Sequence, residues 1–208
     1  MESSLSVVGR LKVEVAVVKP GSLVVDEVNR RVLWGSSNVV LIKARELIVV
    51  DTGMVGEEGL VLDGLTRAGV DVDDVGVVIN THSHRDHTSN NHLFRHAVIA
   101  CGLPGVKEAG FRPLGEGLYE VCEGVKVLET PGHSWDHVAV LVEAEEGLVA
   151  VAGDAISKRS LAENVESLPI VYVDPEQYIK SKVKLLELAD IIIPGHEPPF
   201  RNPHKLKP

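Results

Sequence analysis

The sequence predicts a mixed α/β fold in which two β-sheets pack face to face with helices outside. Three observations carry that prediction. Valine-rich runs of strand length recur between glycine, proline and charged residues. Several of these runs are apolar at every position, as strands covered on both faces are. One pattern also occurs twice. VVLI (39–42), a charged turn and LIVVD (47–51) precede a helix and the strand VVINTH (77–82). VAVLV (138–142), an acidic turn and LVAVAGD (148–154) precede a helix and the strand IIIPGH (191–196).

Taken in order, strands are expected at 11–18, 37–43 and 46–51, the last two as a hairpin. A helix fits 57–68, followed by a strand at 75–80, a short helix at 86–93 and a strand at 97–100. The second half gives strands at 125–129, 137–143 and 147–153. A helix then covers 175–188, opened by Asp174 as N-cap and Pro175 at its first position. A strand at 190–194 closes the pattern. No proline- or serine-rich linker divides the chain, so residues 1–208 are expected to form one domain.

The formal charge of -9 argues against a general nucleic-acid binder, which would show a basic face. It does not rule out a nuclease, because bound metal ions bring their own positive charge. Cys101 and Cys122 are not spaced like zinc ligands and read as small apolar fillers. The start, MESSLSVVGR, lacks the basic and apolar stretches of a secretory signal. No apolar run approaches the ~20 residues that span a bilayer. A soluble cytoplasmic protein without a membrane partner is expected, with its oligomeric state open.

The chemistry is concentrated in THSHRDH (81–87), where three histidines and an aspartate fall within six residues. Imidazole and carboxylate are common zinc donors. His82 and His84, two apart in an extended segment, point the same way and can grip one ion. A turn after them swings Asp86 and His87 toward a second. Further donors stand just past three strands: His133 in TPGH, Asp154 in VAGD and His196 in PGH. Loops over a sheet edge can bring such residues to one point.

These motifs together resemble the metallo-β-lactamase superfamily, in its dinuclear hydrolase branch. The order and spacing match from about residue 39 to residue 200. A narrower resemblance within that branch is carried by LADIIIPGHEPPFR (188–201), Leu93-Phe94 and LGEG (114–117). The resemblance implies a four-layer αββα sandwich. It assigns one ion to His82, His84 and His133, a second to Asp86, His87 and His196, and both to Asp154. Two Zn2+ suit so many imidazoles; iron and manganese are the other metals such donors take. Asp86 is the expected catalytic carboxylate, orienting the attacking water or passing a proton to the leaving group. Asp51, in VDTG, is expected to support a ligand histidine or to stabilise its own turn. Position 154 is Asp rather than Cys, so antibiotic hydrolysis is not the expected reaction.

Other residues read more plainly. His92, His96, His137 and His204 fall outside the ligand pattern. Trp135 fits either a pocket wall or packing beneath the ligand loop. Lys158 and Arg159 fit either a substrate anion or a solvated loop. Lys180, Lys182 and Lys184 read as an exposed helix face. The chain ends soon after His196, so the glutathione-binding helical domain of glyoxalase II enzymes is not expected, nor is the inserted domain of related nucleases. The expected substrate is a small thioester, ester or lactone. Phosphodiester cleavage is the alternative, disfavoured by the acidic chain, with Arg85, Lys158 and Arg159 as its only obvious cations. Persulfide oxidation at one iron, held by two histidines and an aspartate, is a further alternative that the resemblance carries.

Overall fold

Hydrophobic alternation sets the layers. In a computed structural model describing residues 13–205, the central strands of each half bury one face against the other half and the opposite face under helices. Residues 11 and 12 of the first expected strand, and the stretch read for a secretory signal, lie outside the described residues.

The first half contributes β1 (Glu14–Lys19), the hairpin β2 (Ser22–Asp26) and β3 (Arg31–Ser36), β4 (Val39–Lys43), β5 (Leu47–Val50), α1 (Glu58–Arg67), β6 (Val77–Asn80), α2 (Arg85–Thr88) and β7 (Val98–Cys101). The second contributes α3 (Gly102–Glu108), β8 (Arg112–Gly115), β9 (Leu118–Cys122), β10 (Val125–Glu129), β11 (Val138–Ala144), β12 (Gly147–Gly153), α4 (Arg159–Glu163), α5 (Pro175–Leu188), β13 (Ile191–Pro194) and β14 (Phe200–Arg201). Among the described residues, one sheet runs β1-β4-β5-β6-β7, a second β14-β13-β12-β11-β10-β9-β8, and β2-β3 form a separate two-stranded sheet.

Between the sheets lie Val40, Ile42, Ile48, Val50, Val77 and Ile79 from one side. Val125, Val127, Val140, Val142, Val149, Val151 and Ile193 meet them from the other. The alternate residues Val39, Leu41, Val49 and Val78 face outward and pack under Val61 and Leu65 of α1. Leu141, Ala150, Ala152 and Ile192 do the same under Leu185 and Leu186 of α5. A period of two with both phases apolar therefore gives four layers, helix–sheet–sheet–helix. The repeated pattern is real in space: β4 and β5 pair antiparallel and β6 joins β5 in parallel, while β11, β12 and β13 repeat that pairing. Each parallel step crosses over through a helix, as parallel neighbours require.

Several elements differ from the sequence expectation. The β2–β3 hairpin has exposed valines and Leu33 and Trp34 half out in solvent, so it lacks the in–out contrast of a covered strand. β8 and β9 extend an edge, and every residue of β8 is exposed. The expected helix at 86–93 is α2 followed by a separate 3-10 turn, Asn91–Leu93. Asn90 stands between them and donates to Thr52 O and Met54 O instead of continuing a helix. Asp174 caps α5 as expected, accepting from Gln177 N at 3.0 Å. Lys182 is not on an exposed face. It is buried, donates to Ser167 O at 2.6 Å and lies 5.2 Å from the Tyr178 ring centroid. Cys101 and Cys122 are both free. No helix among the described residues is long and apolar enough to cross a membrane.

Candidate metal centre

The ends of β6, β10, β12 and β13 all open on the same edge of the sandwich, and the donors sit in the loops that leave them. His82 stands two residues past the end of β6. The chain bends through residues 81–83, where the sequence predicts an extended segment, before His84, in extended conformation, precedes α2. α2 is one short turn, which places Asp86 and His87 back over the same edge. The carbonyl of His87 accepts from Thr52 N and Asn80 Nδ2, both at 2.8 Å, so this turn is tied to the ends of β5 and β6. Past β12, Gly153 has φ of 49°, and a Cβ there would lie 2.7 Å from Thr81 Oγ1. Only glycine lets the chain turn this close to the first ligand loop and present Asp154.

All seven sequence-predicted donors converge. His84 Nδ1 lies 2.8 Å from His82 Nε2 and 3.1 Å from His133 Nε2. Asp154 Oδ2 is 3.3 Å from His133 Nε2, and Oδ1 is 3.0 Å from His196 Nε2 and 3.6 Å from His87 Nε2. Asp86 Oδ2 is 3.8 Å from His87 Nε2 and 3.7 Å from His196 Nε2. Three overlapping groups have ligand spacing: His82, His84 and His133; His82, His87 and Asp154; Asp86, His87 and His196.

The rings are oriented from behind. His87 Nδ1 bonds Asp51 Oδ2 at 2.8 Å, His133 Nδ1 donates to Val171 O at 3.0 Å, and His196 Nδ1 donates to Ser36 O at 2.9 Å. His82 Nδ1 lies 3.1 Å from Thr81 Oγ1. With one nitrogen engaged, each ring offers the other to the centre, which is how metal-binding histidines are held. His87 Nε2 and Asp154 Oδ1 are buried and have no hydrogen-bond partner. Orphaned buried donors and acceptors are costly. Cations among them would satisfy both, so the residues present fit bound metal.

His137 shows the opposite pattern. It is buried beside His82, with ring centroids 5.1 Å apart. Yet its Nε2 accepts from Asp154 N and Ala155 N, and its Nδ1 bonds Thr130 Oγ1 at 2.8 Å. Both nitrogens are used, so it supports the Asp154 turn and stays outside the ligand set. Its nearness to His133 in sequence was the only signal of that role. His92 and His96 are exposed, and His204 bonds Ala162 O away from the centre.

Electrostatics follow from burial among opposite charges. Burial alone would push the Asp154 carboxyl up, but His196 and His133 hold it well below the usual carboxylate range. Burial would lower His87, but Asp51, with Asp154 and Asp86 beyond it, raises its pKa to about 9. Burial keeps His82 and His137 well below the ordinary imidazole value. Such opposed shifts among neighbours mark a functional cluster.

Asp51 is the main support. It is 2% exposed, adopts φ of 58°, and accepts from Thr81 N at 2.7 Å as well as bonding His87. It therefore ties the His82 loop to the α2 turn. Asp51→Asn keeps the left-handed backbone, which asparagine tolerates, but removes the charge. It is expected to weaken metal binding about 10–100-fold, measured by competition with a chromophoric chelator. Unchanged affinity would reduce Asp51 to a turn residue.

A cleft of about 200 Å³ opens over the donors. Leu23, Val25 and Val32 of the β2–β3 hairpin form one wall, and Leu168, Pro169, Ile170 and Val171 another. His84, Asp86, His133, Asp154 and His196 form its floor, with Ser157, Glu27 and Lys158 at the side. Trp135 is 65% exposed and lies outside this lining.

Fold, convergent donors and sequence comparison agree on the class. Residues 32–120 match the family model described as metallo-beta-lactamase superfamily. The chain belongs to that superfamily, and the class is that of metal-dependent hydrolases. Within it, the chain is 35% identical over 170 residues to metallo-beta-lactamase domain-containing protein 1 of Xenopus laevis, covering 79% of this chain and 72% of that one. The mouse protein of the same name is 35% identical over 181 residues, 80% of this chain and 66% of its own. The narrower resemblance carried by residues 188–201 is to these proteins. An N-acyl homoserine lactonase of Bacillus thuringiensis is 32% identical over 161 residues, covering 68% of this chain and 63% of its own. Among solved structures, an N-acyl homoserine lactone hydrolase, with N-hexanoyl-L-homoserine bound at its catalytic metal centre, superposes with a TM-score of 0.65 at 25% identity. That match covers 90% of this chain and 94% of that one. A Thermotoga maritima protein described as a metallo-beta-lactamase shares the fold, with a TM-score of 0.69 at 20% identity over 91% of this chain and 99% of its own.

Proposed function

We propose that this hydrolase cleaves a small, largely apolar ester, thioester or lactone, using two zinc ions held by seven side chains. His82, His84 and His133 would hold one ion and Asp86, His87 and His196 the other, with Asp154 reaching both. One observation carries the reading. The two oxygens of Asp154 face different donor sets, Oδ2 toward His133 at 3.3 Å and Oδ1 toward His196 at 3.0 Å. That arrangement suits a shared ligand, and a carboxylate is the side chain that supplies it.

When bound, such a pair of ions supplies a water that is nucleophilic near neutral pH and positive charge for a developing oxyanion. The chain's own residues do the rest. Asp86 stands on the floor of the cleft, where its carboxylate can take a proton and return it to the leaving oxygen or sulfur. The hairpin wall and the 168–171 wall hold the acyl part and exclude water.

The cleft favours an acyl substrate over a phosphodiester. Lys158 is the only lysine or arginine lining it among the described residues, and it lies 3.4 Å from Glu27. Arg159 is turned away, bonding Glu163 at 2.9 Å and stacking on Phe200. Arg85 lies outside the lining. The lactone-cleaving relatives support the same choice. A cytoplasmic setting and a small-molecule partner complete the proposal.

The test is metal analysis of protein purified without added metal, followed by thioester, lactone and phosphodiester substrates. Close to two zinc ions per chain and acyl hydrolysis lost on chelation are expected. Turnover of phosphodiesters alone would replace the substrate class. One iron per chain with oxygen uptake on a persulfide would replace the reaction.

A further inference from the structure

Behind the Asp86 side of the centre, a buried lysine pairs with a partly buried glutamate. Lys19 is 4% exposed and Glu57 15%, and Lys19 Nζ lies 2.7 Å from Glu57 Oε2. Lys19 ends β1, where the register with β4 shifts between Val17 and Lys19. Such irregularities re-aim a side chain. Lys19 also bonds Ser36 Oγ and donates to Ser37 O at 2.9 Å. Glu57 in turn accepts from Ser36 Oγ and from Met54 N at 2.9 Å. Ser36 and Ser37 are fully buried. The pair thus grips the end of β3 from two sides.

That strand end touches the centre at two points. Ser36 O accepts from His196 Nδ1 at 2.9 Å, and Ser37 N donates to Asp86 O at 3.0 Å. His133 takes its support elsewhere, from Val171 O, and His82 from Thr81. A buried ion pair is weak as a source of stability, since apolar residues of similar volume often do as well. Its use here is geometric. It fixes the peptide that orients one donor ring and one donor backbone.

We propose that Lys19 and Glu57 are positioning residues for the Asp86–His196 half of the centre, acting through Ser36 and Ser37, and that they set affinity for the second ion without setting affinity for the first. This rests on the two-ion reading above. Neither residue hydrogen-bonds a ligand side chain's metal-facing atom, so apart from the direct pull of the Lys19 charge on the Asp86 carboxylate, which Ser36→Ala leaves in place, their effect passes through the β3 end.

The experiment titrates chelator-stripped protein with Co2+, following binding by absorption and calorimetry. The unsubstituted protein is expected to bind two ions. Ser36→Ala and the charge-neutral double variant Lys19→Met/Glu57→Gln are compared with it, because Lys19→Met alone leaves a partly buried carboxylate unpaired and destabilises the fold. Both variants are expected to keep the first ion's affinity and to lose about 10–100-fold at the second. If both ions bind as before, or both weaken equally, the positioning role is wrong while the two-ion reading stands. If the unsubstituted protein takes up a single ion, the two-ion reading fails and this proposal fails with it.

Discussion

Asp154→Ala is expected to release metal from both positions and to lower turnover by more than about 10³-fold, with the fold intact. Each Asp154 oxygen faces a different group of imidazoles, so its loss removes a donor from both ions at once. Losing the ion pairs to His196 and His133 should cost some stability. Folding should survive, because the turn is held by its backbone N–H bonding His137 Nε2 at 3.0 Å. Alanine retains that N–H. A second consequence follows from charge. Asp154 is the main influence raising His196 above the value that burial alone would give. Without the carboxylate, His196 should titrate lower in the metal-free variant, a shift visible by NMR. Metal content, turnover and thermal unfolding measured together decide the matter. Full turnover in Asp154→Ala would end the shared-ligand proposal.

Gly195→Ala is expected to cost about 10²-fold in turnover although it changes no donor. Gly195 does not need glycine for its backbone angles. It needs the space: a Cβ there would stand 2.2 Å from Asp154 Oδ1 and 3.1 Å from Gly153 O. The Asp154 carboxylate is the softer neighbour and would have to rotate, spoiling its reach to one donor set. The loss should fall mainly on kcat, with metal content lowered toward one ion per chain, while the backbone bond from Asn38 N to Gly195 O at 2.7 Å keeps the loop in place. Steady-state kinetics with metal analysis checks this. Wild-type kcat with two ions bound would show that the carboxylate has another place to go.

The sandwich and the donors were legible in the sequence for different reasons. The strands of the two inner layers were legible because Val40 and Ile42 face one core while Val39 and Leu41 face another, leaving an unbroken apolar run. The donors were legible because they cluster in the loops just past such strands, and seven of them in fixed order are hard to produce by chance. The β2–β3 hairpin was missed because it covers a cleft instead of a core, so Val24, Leu33 and Trp34 remain exposed and its periodicity is blurred. Lys19 was unreadable for the opposite reason. A lysine at the end of a strand reads as a solvated terminus, and only the register shift and the approach of Glu57 bury it.

By itself the sequence determined the two-layered strand pattern, the helix start at Asp174 and the residues able to bind metal, because these depend on side-chain type and short-range spacing. Only the tertiary structure decided which imidazole nitrogens face one another, that His137 spends both of its own on neighbours, and that Ser36 and Ser37 carry support from Lys19 to His196 and Asp86. Those contacts join positions up to 160 residues apart in the chain. No local pattern encodes them, since they exist only once both sheets have closed on their common core.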